Sequence, residues 1–590
     1  MKNKNRENII SVAVFFSITL CLFAPFEIYF ANKDEMWFRL SAFWWIPILV
    51  CFVVFGCIYT VGSILKNGIK RIYLAICFAM ALCMYMQGNF LSLKVGVMNG
   101  AQIEWDMYTL RMIGNLIIWL FVIAVWICIA IFKEEIFLKV SKGIAIFLTA
   151  VQIVTLLIFF VTLVIKGDYV KNTYTFLSDE GLYKVGKDEN VIIFCLDMFD
   201  DDYFKAIYEN EPDIGNDFEG FTYFSNFTGT YSTTSYSLPH LFTGKIYHNE
   251  GTLNEWNDLC TEAGTYVDEF TEAGYDLDIY STGYSVIPSK YVLEAENYVE
   301  APLYITNYLR FSCDLYQLVA CKYFPDMVKP YIWMDGTEFD YWKGYKSESR
   351  PYDGTNASFR DGLIENGVTL SESSRQFKFI HINASHYPYD IDENANDVEK
   401  DSVTDVQCAR GALRMVQWYL EELKKNGGYD EAVIIITADH GYYWDGVLTS
   451  PVCLIKPKGA RGVLQINSVP ASQVDLPATL IELAGINSVD DYGKSIFEYS
   501  QDEDRDRFFY QYYLSETNSS WKWRLIEYKI DSAGNDRENF HLTDNEYTIS
   551  GTKIPHKMYC KTCNGEYVNK EDEQKEPSRV VHVKRNNYPE

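Results

Sequence analysis

The sequence predicts an α/β protein built in two parts. A five-helix transmembrane bundle comes first, then a doubly wound α/β domain closed by a small C-terminal β-rich subdomain. Three observations predict this. Five long apolar runs fill the first 166 residues, at about 9–26, 43–65, 73–91, 113–132 and 144–165. Beyond them, short continuous apolar strands alternate with an amphipathic helix, the pattern of a layered α/β core. After about residue 505, aromatic and β-branched runs separated by a turn replace that alternation. The 590 residues are too many for one domain. The expected boundaries are 1–166 for the bundle, 167–189 for a polar linker, 190–505 for the catalytic domain, 506–563 for the β-rich subdomain and 564–590 for a charged tail.

Each apolar run approaches the ~20 residues that cross about 30 Å of hydrocarbon. One such run could be a buried core helix or a signal peptide. Five in succession, with charges confined to their ends and connections, read as membrane spans. Lys2, Lys4 and Arg6 precede the first run, Lys66, Lys70 and Arg71 fill the second connection, and Lys133, Lys139 and Lys142 fill the fourth. The positive-inside rule then places the N-terminus in the cytoplasm. Five crossings of the plasma membrane leave everything after Lys166 extracytoplasmic. The first 166 residues hold fourteen Lys/Arg and eight acids, a charge of +6. The whole chain carries −27, so the remainder carries −33. So acidic a domain argues against nucleic acid as a partner, because phosphate backbones need cations. Six of the fourteen cysteines lie in the apolar runs. Outside the membrane, spacing allows local bridges Cys313–Cys321 and Cys560–Cys563 in an oxidising compartment. Cys560 and Cys563 lack the second half of a zinc site.

Along the outer domain, residues 190–196 (NVIIFCL) form a continuous apolar run, the mark of a strand buried on both faces. Asp197 ends it. Residues 377–382 (FKFIHI) give a second strand with His381 near its end. Val406, Ala409, Leu413, Val416, Leu420 and Leu423 repeat at helical spacing until Gly427-Gly428 stops them. Residues 432–437 (AVIIIT) form a third buried strand, tipped by Asp439 and His440. Ligands of open α/β sheets gather outside the carboxyl ends of strands, where Asp197, His381, Asp439 and His440 all fall. A further strand is expected at 452–457, a helix at 474–483, and strands at 508–513 and 524–530 with a turn at 531–535. Asp200-Asp201-Asp202 reads as a solvated helix start. The tyrosines and phenylalanines read mainly as packing.

The stretch Thr230-Tyr-Ser-Thr-Thr-Ser-Tyr-Ser-Leu-Pro-His-Leu-Phe-Thr-Gly244 is crowded with hydroxyls. Two acids, a histidine and a hydroxyl suit one divalent cation, Mn2+ or Zn2+, which can activate that hydroxyl as a nucleophile near neutral pH. The residues alone leave Ser232, Thr233 and Thr234 as candidates. A helix starting after Thr234 would add favourable amides for an anion.

Thr234 is followed at its ninth and tenth positions by Thr243-Gly244, the spacing at which the nucleophile precedes Thr-Gly in the alkaline phosphatase/sulfatase superfamily. Thr234-Ser-Tyr-Ser-Leu-Pro239 resembles the Thr-x-x-Ser-x-Pro segment of lipid A phosphoethanolamine transferases, and His381-Ile-Asn-Ala-Ser-His386 is similar to their His-x4-His segment. Asp439-His440-Gly441 looks like the superfamily's metal motif, and 473–486 resembles the helix that follows it. Five membrane helices before an outward domain is also the layout of lipoteichoic acid synthases. The resemblance implies a sulfatase-like fold and a phospho-threonine on Thr234. It implies a metal held by Asp197, Thr234, Asp439 and His440, with His386 and His381 on the substrate. It implies a phosphotransferase taking a phosphoglycerol or phosphoethanolamine head group from a membrane phospholipid to an envelope glycan or polymer. A hydrolase of the same fold and an inactive envelope-binding protein are the alternatives. The departures are specific. Asp197 stands where these transferases usually have Glu. No further His follows Asp-His-Gly until His541, which puts a complete second metal site in doubt. Thr230 and His240 replace cysteines that flank the nucleophile in the phosphoethanolamine type. Thr234 and Leu238 replace the Cys or Ser, and the Arg four residues on, that sulfate ester hydrolysis needs.

Overall fold

The computed structural model describes residues 2–93, 103, 105–166, 172–334, 336–442, 448–488, 490–516 and 521–551. They form two compact units. One is Met1–Tyr174 with Glu300–Ser347, and the other is Thr175–Val299 with Glu348–Glu590.

In the first unit, the expected runs become five helices long and apolar enough to cross a membrane: Arg6–Ala31, Leu40–Ile64, Gly68–Leu91, Trp105–Phe132 and Glu134–Ile165. Their basic ends carry ion pairs between helices, Lys142 with Glu7 and Arg71 with Glu134, each at 2.7 Å. The segment Glu300–Ser347 comes from the middle of the stretch expected to be catalytic domain, yet it belongs with the bundle. Its main helix, Tyr308–Tyr323, buries Phe311, Leu315, Val319, Cys321 and Tyr323. Phe311 packs edge-on against Phe38 at 4.7 Å between ring centres. Lys322 Nζ lies 2.7 Å from Glu27. Asp326 is fully buried and pairs with Lys329 at 3.0 Å, while Gln87 donates to it at 2.9 Å and Asn115 accepts from its amide at 3.0 Å. Cys313 and Cys321 both stand in this helix as free thiols, contrary to the expected bridge. Eight residues of helix separate them by about 12 Å of rise, beyond disulfide reach.

The second unit is built on a seven-stranded mixed sheet. In chain order its strands are β1 (Glu189–Leu196), β2 (Thr222–Phe224), β3 (Asp276–Tyr280), β4 (Arg375–Ile382), β5 (Ala432–Thr437), β6 (Cys453–Lys456) and β7 (Gln465–Asn467), arranged β7-β2-β6-β5-β1-β4-β3. The central strands are parallel, with Cys195 of β1 opposite His381 of β4 and Thr437 of β5. Strand periodicity sorts their side chains onto two faces. Ile192, Phe194, Leu196, Ile380, Ile382, Ile434 and Ile436 enter one core with helix Asp405–Asn426. Val191, Ile193, Cys195, Phe377, Phe379, Val433 and Ile435 enter the other with helices Thr234–Thr243 and Leu476–Ala484. Each such fully buried side chain contributes about 1.5–3 kcal/mol, so strands apolar on both faces hold both layers at once. The polar stretch expected as linker contains short strands at Thr173–Leu177 and Lys184–Val185. The β-rich part is an antiparallel sheet of β8 (Arg507–Glu516), β9 (Trp521–Ile530) and β10 (Phe540–Gly551). The tail from 552, with Cys560 and Cys563, lies outside the described residues.

Candidate active site

Parallel pairing brings the carboxyl ends of β1, β4 and β5 to one edge. Asp197 follows β1 directly. The chain then turns through Met198, whose positive φ of 58° aims its amide at Asp439 Oδ1, 3.2 Å away. Asp439 Oδ1 also accepts the His440 amide at 2.9 Å. That leaves Oδ2 facing His440 Nε2 at 3.3 Å and His381 Nε2 at 3.9 Å. His381 Nε2 lies 3.6 Å from Asp197 Oδ2, and His440 Nε2 lies 3.9 Å from Asp197 Oδ1. His440 Nδ1 donates to the Gly441 carbonyl at 2.8 Å, so Nε2 keeps its lone pair toward the cluster. Gly441 has no room for a side chain: a Cβ there would strike Thr449, Asp200 and Ser450.

Thr234 opens its helix rather than preceding it, with Thr233 as N-cap. Its Oγ1 lies 3.3 Å from His440 Nε2. Ser232 Oγ instead accepts from the Tyr512 amide at 2.9 Å, and Thr233 Oγ1 is buried. Of the three hydroxyls the sequence leaves open, Thr234 is the one that bonds into the cluster.

The donor set fits a divalent cation. Asp197 Oδ1, His381 Nε2 and Asp439 Oδ2 are buried without a hydrogen-bond partner. Such orphaned polar atoms are rare in folded proteins and costly. Donor atoms of Asp197, Asp439 and His440 lie within 4.8 Å of one another. Burial, and then the Asp439 carboxylate, push the Asp197 carboxyl well above its ordinary range. Burial lowers the His381 imidazole. A cation among them would offset the burial of the Asp197 carboxylate, and a neutral His381 keeps a lone pair to offer it. His381 was expected on the substrate, but its Nε2 points between the two carboxylates, so it could serve as a fourth ligand. Cys195 also reaches His381 and Asp439, but burial raises its thiol far above neutral pH, which disfavours it as a ligand. His386 is half-buried, its amide bonded to Asn383 O at 2.8 Å and its Nδ1 2.6 Å from Tyr387 O.

The surroundings were less visible in the sequence. Gln473 is buried and clamps two loops. Its Oε1 accepts the Thr230 amide at 2.9 Å, and its Nε2 donates to Ala438 O at 2.9 Å and Asp439 O at 3.0 Å. Thr230 Oγ1 lies 2.9 Å from His240 Nε2, and His240 Nδ1 lies 2.9 Å from Lys245 O. The carbonyl can only accept, so Nδ1 carries the proton and Nε2 accepts from Thr230. Burial lowers the His240 pKa to about 4, and the ring stays neutral. On the other side, Tyr510 of β8 donates its amide to Thr230 O at 2.8 Å. Asp200 and Asp201, expected in solvent, are buried; only Asp202 is exposed. Asp200 caps its helix through the Asp202 amide at 2.9 Å and accepts the Tyr442 amide at 2.9 Å, and burial raises it to about 7.

A family model described as Sulfatase matches residues 189–486, half of the chain. The chain belongs to the sulfatase family. The matched stretch of this sulfatase-family chain contains Asp197, Thr234, His381, His386, Asp439 and His440. Lipoteichoic acid synthase of Staphylococcus aureus (strain USA300) is 31% identical over 129 residues, 18% of this chain and 20% of that protein. The chain thus matches about a fifth of that relative's length. Among solved structures, the lipoteichoic acid synthase LtaP from Listeria monocytogenes is 13% identical, covering 68% of this chain and 95% of that one at a TM-score of 0.33. Ps i-CgsB, solved with k-i-k-neocarrahexaose, is 17% identical, covering 57% and 86% at a TM-score of 0.36.

Proposed function

We propose that this sulfatase-family chain is a membrane-anchored, metal-dependent phosphotransferase of the cell envelope. It moves a phosphoglycerol- or phosphoethanolamine-type head group from a phospholipid to an extracytoplasmic glycan or polymer. The observation that carries this reading is Thr234 Oγ1, at a helix N-terminus and 3.3 Å from His440 Nε2, beside the orphaned atoms of Asp197, His381 and Asp439. A divalent ion held by Asp197, Asp439, His440 and His381 would supply the positive charge that acidifies a hydroxyl and neutralises phosphoryl oxygens.

Thr234 Oγ1 attacks phosphorus, and its proton leaves on the solvent side of the half-buried residue. The new bond joins phosphorus to Thr234; the bond that breaks joins phosphorus to the diacylglycerol oxygen, which takes up a proton, a role we assign to His386. The first amides of the helix hold the phosphoryl oxygens. An acceptor hydroxyl then attacks the phospho-threonine, the Thr234 ester bond breaks, and a proton returns to Thr234. The 31% identity to lipoteichoic acid synthase and the five apolar helices support the membrane setting. The basic helix ends support a cytoplasmic N-terminus.

Mass spectrometry of the full chain turned over with phosphatidylglycerol vesicles tests the reading. The phosphoglyceryl mass should appear on Thr234 and vanish in Thr234→Ala. A modified protein that survives the substitution unchanged would remove Thr234 from the chemistry. Head group released to water despite a glycan acceptor would make the enzyme a hydrolase.

A further inference from the structure

We infer that Glu300–Ser347 is a membrane-interface segment whose aromatic face sits in the head-group layer of a phospholipid bilayer. Its composition sets it apart from the chain around it. Twelve of its 48 residues are aromatic, a quarter against 16% for the whole chain. It holds six acids and five bases, close to neutral, within an outer chain of −33. A strongly acidic surface is repelled by anionic lipid, whereas a neutral aromatic one is not.

Its packing places it at one end of the bundle. It reaches Glu27 near the end of the first span and Trp45 at the start of the second, at 5.6 Å from Tyr308. It reaches Gln87 near the end of the third span, and Trp105 at the start of the fourth, at 5.4 Å from Trp333. Ends and starts alternate along the chain, so all four points lie at the same face of a bundle that crosses back and forth. The fifth span ends at that face too.

What the segment leaves uncovered is apolar. Thirteen large apolar or aromatic side chains beyond residue 166 are exposed among the described residues, and six of them fall within this short stretch: Tyr304, Tyr308, Leu309, Tyr331, Tyr341 and Tyr345. Leu309, Tyr331 and Tyr341 are 75%, 86% and 76% exposed. This surface continues the one at the same end of the spans, where Trp44, Trp45, Phe90 and Leu110 are also exposed. Lys346 stands 5.6 Å from the Tyr304 ring. Tyrosine and tryptophan with neighbouring cations form the belt of a membrane–water interface. That continuity selects lipid as the occupant.

The test uses the full chain in nanodiscs of phosphatidylcholine and phosphatidylglycerol. A genetically encoded fluorescent amino acid replaces Leu309, Tyr331 or Tyr341, one per variant, and the lipids carry a spin-label quencher near the head group or at the tail end. Emission at all three positions should fall about twofold with the shallow quencher and less with the deep one, as for interfacial side chains. Phe121, 67% exposed in the fourth span, serves as the bilayer reference. If Phe121 is quenched while the three positions keep their emission, or blue-shift without quenching as under a protein partner or second copy, the inference is overturned. An unquenched Phe121 would remove the membrane reading and the inference with it.

Discussion

At the scale of single residues, the site divides into groups that carry chemistry and groups that hold them. Asp197, Asp439 and His440 were legible because strand ends are where an α/β sheet exposes polar side chains. His381 was legible as a site residue, but its place between the two carboxylates was not, since only the register of β4 against β1 turns its ring toward them. Gln473 and the Thr230–His240 bond were invisible, because they join positions distant in the chain and follow no periodicity. His240 offers a direct measurement. Its pKa falls from the ordinary 6.5 to about 4 on folding, so the unfolded chain binds the proton more readily between those values. The stability it contributes is complete above pH 6.5 and is lost as pH falls to about 4. The size is about 3 kcal/mol. Chemical denaturation at pH 7 and pH 4 should therefore show a smaller acid loss in His240→Gln than in the wild type, by up to that amount. Equal losses in both would mean the ring is not held neutral.

At the scale of elements, the helix Thr234–Thr243 is held between β8 of the C-terminal sheet, through Thr230 and Ser232, and the Gln473 turn. The β-rich part thus supports the helix that carries Thr234. The sequence showed its strands but not this use, since pairing between Thr230 and Tyr510 crosses almost half the chain. The helix Tyr308–Tyr323 was equally opaque. Its buried face at Phe311, Leu315 and Val319 has the spacing of any core helix, and spacing cannot say whether a sheet or a membrane bundle receives it. The ion pair beneath it can be tested. Asp326 and Lys329 are both buried, and removing one leaves the other charge uncompensated. Asp326→Ala should cost about 3–5 kcal/mol in the bundle unit, and the double variant Asp326→Ala/Lys329→Met should recover part of it. Additive losses, read from unfolding of the detergent-solubilised chain, would show that the pair is not coupled.

At the scale of the whole molecule, charge and connectivity run in opposite senses. The composition separates cleanly at residue 166, from +6 to −33. Compactness does not, because Glu300–Ser347 returns to the first unit. A boundary drawn from hydropathy follows the chain once, whereas the fold crosses between units at 174, 299 and 347. Proteolysis is therefore a poor way to shed this catalytic unit. A single nick between 166 and 172 severs the only join that hydropathy reveals, yet the catalytic fragment keeps its hold on the bundle through Lys322 and Asp326. Both fragments should stay in the membrane pellet after such a cut, and a C-terminal fragment found in the supernatant would overturn this.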